Sequence, residues 1–393
     1  MKFKRKISMF MLYNSYLNVN DGSNTHLIEL FTNLNKRAEV ILFVPGSKTK
    51  NYNHSNIKYV PVLKVKNLIG ISYEFVLFFY LTHYFITSKP SIIYLRQNAL
   101  SFFPVFLSRI FRIPVIVEIN GLIQEEIKIT STMSYIDRCY FYFSILSEKF
   151  NYKYCDRIIA VTHKLKDELS NIYSIPKSKI IVVENGANTD LFKPMDIKEA
   201  RKLLNLNLNS NIICFVGNLA IWQGVEDLIQ ASSLILKKYP NTVFLIVGDG
   251  ILKEKLMALA DSLNVTENYI FTGGVPYENV LNYINASDIC VVPKKPLKSG
   301  YSPLKLYEYM ACGKPIIASR VDGFEILEQI NGGLLVNPEN SVEFSTAAIK
   351  LLSDPYLRDK MGLEGRNYVE KYQSWNAVSK KVFDVCEDVL KAR

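Results

Sequence analysis

The amino-acid sequence predicts an α/β protein with two doubly wound parallel sheets, each in a domain of its own. Three observations carry this reading. Short apolar runs rich in β-branched and aromatic residues alternate with longer helical stretches along the whole chain, as strands and crossover helices of parallel sheets do. One polar connector, ENGANTDLFKPMDIKEARKLLNLNLNSN, breaks that alternation near the middle. The length of 393 residues exceeds one ordinary core and suits two domains of roughly 200 residues.

In the first half the predicted strands are ISMFMLY, EVILFV, IKYVPV, SIIYL, PVIVEI, RIIAVT and KIIVVE. In the second half they are IICFVG, VFLIVG, YIFTG, ICVVP, PIIAS and GLLVN. The composition shift places the boundary near residue 195, with a first domain of residues 1–194. Two such sheets are expected to leave a ligand cleft at their strand C-terminal ends. Residues 68–87, LIGISYEFVLFFYLTHYFIT, are about long enough to span a bilayer. Glu74 and His83 interrupt that run, and strands flank it, so a buried or membrane-surface crossover helix is expected.

Composition excludes several classes. A content of 49% hydrophobic and 21% charged residues is that of a folded chain. The six cysteines are scattered without a zinc or redox motif and read as reduced thiols of a cytoplasmic protein. The four histidines are dispersed, against a histidine metal cluster, and no metal site is expected. No secretory signal precedes the first strand, because MKFKRK is basic but ISMFMLY is short and runs into polar residues. The formal charge of +10 falls entirely within the first 190 residues, and the remainder is balanced. Those cations are dispersed and carry no nucleic-acid motif, so no nucleic acid is expected. An anionic membrane surface fits better, because residues 68–87 and FYFSILSEKFNYKY at 141–154 make the first half both aromatic and basic. That pairing suggests a peripheral enzyme at the inner face of the plasma membrane. Packing of these aromatics in a deep core is the open alternative.

The stretch SGYSPLKLYEYMACGKPIIAS, residues 299–319, carries the most chemistry. Ser302 suits an N-cap and Pro303 the first helical position, while Gly313 suits a left-handed stop and Pro315 ends the helix. The expected helix covers about 303–312. Lys305 then sits near its third position, where a cation opposes the helix dipole by about 0.3–1 kcal/mol. A phosphate at the free N–H groups would reverse that sign. Gly300 permits close backbone approach to such an anion. Glu308 shares the Lys305 face and is placed to accept ribose hydroxyls. A surface Lys–Glu pair is the alternative for this stretch alone.

SPLKLYEYMACGKPIIAS resembles the donor-binding signature of the family four retaining glycosyltransferases, the glycosyl transferases group 1. The resemblance covers the whole chain. FVGNLAIWQGVEDLIQA at 215–231, LIVGDGILKEKL at 245–256 and FTGGVPYENVLNYINASDICVVP at 271–293 are similar to successive units of the family's donor domain. AVTHKLKDEL and KIIVVENGANTDLFKP resemble its interdomain passage. The resemblance implies the GT-B fold, two facing Rossmann-like domains. It implies a donor domain at 195–373 and, at 374–393, a C-terminal helix crossing back to the first domain. It further implies transfer of a sugar from a nucleotide-diphosphate sugar, with retention, to an acceptor held by the first domain. A UDP-sugar donor is favoured over a GDP-sugar, without cofactor or metal. The expected acceptor is a glycan or a lipid-linked glycan in surface polysaccharide or glycolipid biosynthesis.

Departures from the family pattern shape the candidate site. The family's arginine and lysine in the first donor loop are Asn218 and Gln223 here, and its sugar-contacting glutamate is Gly300. Lys305 is the natural replacement cation, with Lys298 second, while Lys294 and Lys295 are expected to solvate their loop. The donor-binding set is therefore Asn218, Gln223, Gly300, Tyr301, Ser302, Lys305 and Glu308, with Gly22 and Ser23 from the glycine loop of the first domain. Glu118, Asn120 and Glu126 stand where the family places a histidine and acidic groups near the transferred sugar. The catalytic candidates are Glu118, Asn120 and Lys305, although Glu118 also suits a hydrogen-bonded core carboxylate. Arg96 is a candidate acceptor or phosphate contact, and His26 and His163 read as helix residues. Without a placed carboxylate nucleophile, a same-face substitution is expected, with the leaving diphosphate deprotonating the acceptor hydroxyl. The alternatives are a catalytically silent sugar-nucleotide or glycan-binding subunit and a sugar-nucleotide epimerase of the same fold.

Overall fold

A computed structural model describes residues 6–17, 22–46, 54–63, 69–98, 100–122 and 135–393. Every predicted apolar run forms a strand. β1 (Ser8–Leu12), β2 (Glu39–Pro45), β3 (Ile57–Val60), β4 (Ile92–Arg96), β5 (Val115–Ile119), β6 (Arg157–Ala160) and β7 (Ile180–Val182) make one parallel sheet in the order β3-β2-β1-β4-β5-β6-β7. β8 (Asn211–Val216), β9 (Thr242–Val247), β10 (Tyr269–Gly273), β11 (Ile289–Val292), β12 (Ile316–Ser319) and β13 (Gly333–Val336) make the other, in the order β10-β9-β8-β11-β12-β13. The chain therefore has two parallel α/β units of the GT-B class. In each sheet the strand order reverses once, between β1 and β4 and between β8 and β11. Crevices at the carboxyl ends of such neighbours are where open α/β sheets bind ligands.

The compact units are Met1–Glu184 with Val378–Arg393, and Asn185–Ala377. The division falls at the start of the connector, ahead of the boundary near residue 195 that composition marks. Asn185 donates through its backbone N–H to Ser302 Oγ, and Ala187 donates to the Gln373 carbonyl. Those bonds draw the start of the connector into the second unit. Helix Trp375–Lys391 contributes most of its length to the first unit.

The central strands are buried on both faces, as helices covering a parallel sheet require, and the edge strands β3, β7 and β10 are partly exposed. In β8, Ile212, Cys214 and Val216 belong to one core and Ile213 and Phe215 to the other. Each fully buried side chain of this size contributes about 1.5–3 kcal/mol. In the first unit Phe10, Phe43, Leu95 and Val117 join Tyr73, Leu77 and Leu81 of the helix Ile69–Thr87. That helix is the expected crossover between β3 and β4, and among the described residues no helix is long and apolar enough to cross a membrane. Its Glu74 turns inward and accepts a hydrogen bond from Phe103 N at 3.1 Å. Burial pushes this carboxyl up to about 8, which favours its neutral form near pH 7.

Candidate functional site

The helix carrying Lys305 and Glu308 runs Leu304–Ala311. Its end follows the sequence reading. Gly313 has φ +66°, Gly313 N bonds to Met310 O at 2.9 Å and Lys314 N to Tyr309 O at 3.0 Å, the two bonds of a left-handed stop. Its start does not. Pro303 occupies the cap position without a side-chain cap, and Lys305 is the second helical residue. Ser302 is not the cap, because its hydroxyl accepts Asn185 N at 2.9 Å and its carbonyl accepts Asn185 Nδ2 at 2.5 Å. A long-range partner has taken the group that local geometry would have used.

Lys305 reaches the carboxyl end of β8. Its Nζ donates to Gln223 Oε1 at 2.9 Å and lies 4.1 Å from the Phe215 ring centroid. Gly217, with φ +140°, makes this possible, since a Cβ there would come within 2.4 Å of that nitrogen. Burial pushes the ammonium well below the ordinary lysine value. Lys294 adds in the same direction, while Glu308 and the Cys214 thiol oppose them. Gln223 is buried and accepts here, which leaves its amide N–H groups as donors. Glu308 is buried one turn along the same helix, where it accepts from Tyr277 Oη at 2.8 Å. Asn218 is exposed on the loop after β8. Gly300 has φ +65°, and Tyr301, which follows it, is buried and donates from Oη to the Lys295 carbonyl at 2.6 Å. Lys298 is exposed.

Lys294 overturns its expectation. Rather than solvating a loop it is buried, its Nζ 4.8 Å from the Tyr301 ring centroid, and burial pulls its ammonium down to about 7. A cation–π contact offsets about 0.5–2 kcal/mol, less than the several kcal/mol that desolvating an ion costs. The run KKPLK reads as solvated charge, and an all-buried strand such as β11 offers no alternation from which to tell that its next lysine turns inward. Lys295 keeps the expected exposure in part and lies 3.9 Å from Glu339. Phe215, Gly217 and Tyr277 are further residues of this group that sequence reading passed over. Only the VG dipeptide after β8 offered a signal.

The first unit gathers a second polar group at its own strand reversal. Glu118, on β5, is buried; Tyr94 Oη and Asn120 Nδ2 both donate to it, the latter at 2.5 Å. His26 Nε2 lies 2.9 Å and Arg96 Nε 3.6 Å from Glu118 Oε1. Burial alone would raise this carboxyl. His26, Arg96 and the Tyr94 hydroxyl outweigh it and hold the group well below the usual carboxylate range. Arg96 ends β4, packs over the Tyr13 ring and donates from Nη1 to the Ser23 carbonyl at 2.9 Å. The Ser23 hydroxyl bonds to Tyr13 Oη. Helix Gly22–Asn35 thus starts against the ends of β1 and β4, with Gly22 exposed. His26 and His163 both lie on helices, and Glu126 lies outside the described residues. Among the described residues no three His, Cys, Asp or Glu side chains are placed to hold a metal ion.

Comparison with known proteins bears on the family and the fold. Residues 196–368 match the family Glycosyl transferases group 1, and residues 20–191 match Glycosyltransferase Family 4. An uncharacterized glycosyltransferase of Methanocaldococcus jannaschii is 25% identical over 404 aligned positions, covering 98% of this chain and 100% of that protein. Sucrose-phosphate synthase from Thermosynechococcus elongatus superimposes with a TM-score of 0.77 at 20% identity, over 98% of this chain and 100% of that one. Anabaena HepE, solved in complex with UDP and glucose, superimposes with a TM-score of 0.75 at 16% identity, over 97% and 99% of the two chains. With the two family matches spanning both of its parallel-sheet units, the chain belongs to the group 1 glycosyltransferases and is a glycosyltransferase enzyme.

Proposed function

We propose that the protein is a retaining, metal-independent glycosyltransferase. It moves a sugar from a nucleoside-diphosphate sugar, a UDP-sugar in preference to a GDP-sugar, to a glycan or lipid-linked acceptor in surface polysaccharide or glycolipid biosynthesis. The observation that carries this reading is the Lys305 ammonium, bonded to Gln223 under Gly217 at the β8 end, with Glu308 one turn further along. An anion at the start of helix Leu304–Ala311 would meet free N–H groups and a cation whose burial otherwise works against its charge. Glu308 would accept ribose hydroxyls, and Gln223 and Asn218 would donate neutral hydrogen bonds to phosphate oxygens. With the leaving group so held, its own oxygen takes the acceptor proton, and the protein's share is binding, orientation and exclusion of water.

Thermal-shift screening of UDP- and GDP-sugars, followed by mass detection of glycosylated acceptor, tests the reading. We expect one UDP-sugar to raise the melting temperature and to be consumed only when acceptor is present. Binding without turnover on any acceptor would instead identify a silent sugar-nucleotide-binding subunit.

The acceptor side of the proposal is an anionic membrane at the inner face of the plasma membrane. Helices Ile69–Thr87, Phe103–Phe111 and Tyr135–Tyr154 are joined by ring contacts, Phe75 to Phe103 at 5.9 Å and Phe102 to Phe150 at 4.6 Å. They leave Phe79 67%, Ile110 59% and Phe143 58% exposed. Among their described side chains both carboxylates, Glu74 and Glu148, are buried, whereas Arg109, Arg138, Lys149 and Lys153 are exposed. Aromatic side chains among exposed cations suit an anionic lipid surface. In vesicle sedimentation, phosphatidylglycerol-containing vesicles should retain the protein and pure phosphatidylcholine vesicles should not. The double variant Phe79→Ser and Phe143→Ser should bind the anionic vesicles at least about tenfold less well. Equal binding to both vesicle types would remove the membrane from the proposal.

A further inference from the structure

The reversal between β8 and β11 holds a charged group that the donor reading leaves unused. Lys294 comes just after β11, the strand beside β8, and its charge acts on the Lys305 ammonium at the β8 end. Local packing holds it there. Lys295 N donates to the Trp222 carbonyl at 3.2 Å, and the Pro293 carbonyl lies so close to Gly224 (φ +65°) that a Cβ would approach within 1.7 Å. The strand end is thereby locked to the loop that presents Gln223, the acceptor of the Lys305 ammonium. Lys294 is 5% exposed, and no described carboxylate offsets that burial. The groups around the pair are Tyr301 and Gln223, the Cys214 thiol kept neutral by burial, Glu308 beside Lys305, and Lys295 turned to Glu339.

We propose that Lys294 is a second anion-binding cation of this site, so that a nucleoside diphosphate binds across the Lys294 and Lys305 ammoniums. The inference rests on the donor reading and deepens it. The two lysines would supply the two cations that the loop after β8, with Asn218 and Gln223, lacks. Two ammoniums in one desolvated crevice disfavour each other's charge, and a diphosphate reverses that. Binding therefore takes up a proton, and affinity falls as pH rises above neutrality.

Isothermal titration of UDP into the full-length protein, from pH 7 to pH 9 in buffers of differing ionisation enthalpy, reads this directly. Wild type should bind UDP with proton uptake and about tenfold more weakly at pH 9 than at pH 7. Lys294→Met should lose about tenfold at pH 7 and show a shallower pH slope. Lys294→Arg, charged throughout this range, should bind at pH 7 and show the same shallower slope, and it serves if the Met variant does not fold. Wild-type affinity and an unchanged slope in both variants would overturn the role of Lys294 while leaving UDP binding, and hence the donor reading, intact. Failure of the wild-type protein to bind UDP, GDP or inorganic pyrophosphate would overturn both.

Discussion

Replacing Lys305 with methionine should slow sugar transfer at least about tenfold, a loss of ~1.4 kcal/mol in transition-state stabilisation, while leaving the protein as stable as before or more so. The two halves of that result have one cause. The Lys305 ammonium is desolvated against Phe215, has the neutral Gln223 as its hydrogen-bond acceptor, and is disfavoured further by Lys294. A lysine kept for structure would carry a carboxylate partner, and its loss would destabilise. A lysine kept for an anion costs stability until the anion arrives. The sign of the pH dependence follows. With its folded value below the unfolded one, Lys305 costs most where both states are protonated, and the cost shrinks as pH rises towards the unfolded value of about 10.4. The melting-temperature advantage of the methionine variant should therefore be larger at pH 7 than at pH 9.5. Glu308→Gln should also lose about tenfold in transfer, because the amide presents one acceptor where the carboxylate presents two. Initial rates and thermal melts of both variants decide the matter; wild-type rates would reject the assigned roles.

The other large effect is expected at Glu118, and it is one of stability. Glu118→Gln should cost about 3–5 kcal/mol in urea unfolding, since it leaves Arg96 and His26 buried beside a neutral amide. Activity falls with it, because Arg96 also holds the Ser23 carbonyl and so fixes the start of helix Gly22–Asn35. The carboxyl is held below its ordinary range, so its stabilisation is fully present above about pH 4.3 and is lost as pH falls through the range beneath. The wild-type advantage over Glu118→Gln should hold at pH 6–8 and diminish in acid. A variant as stable as wild type at pH 7 would show that the cluster carries little folding energy. Asn120, donating to the same carboxylate, is then oriented by Glu118 rather than acting beside an independent base.

Much of the fold was legible because its signals are local. Each run of β-branched and aromatic residues meets much the same requirement wherever it lies, to pack within a parallel sheet. Gly313 could be read as a helix stop because the left-handed backbone it adopts depends on its own missing Cβ. Residues 69–87 were legible as a crossover helix from their place between two strands, yet the face turned outward was not. Glu74, a charged residue that interrupts the apolar run, is buried, and Phe79 is exposed.

By itself the sequence determined two parallel α/β units, their strands, the family signature and the residues from which a donor site could be assembled. Only the tertiary structure decided which charges turn inward and what they meet there: Lys305 on Gln223, Lys294 under Tyr301, Ser302 taken by Asn185, and Glu118 among His26, Arg96 and Tyr94. The physical reason is the range of the interactions. Periodicity and helix stops are settled within a few residues, whereas the burial of Lys305 and Glu118 is settled by partners tens of positions away. In sequence a lysine or glutamate reads as solvated, because water is its cheapest neighbour until folding removes it.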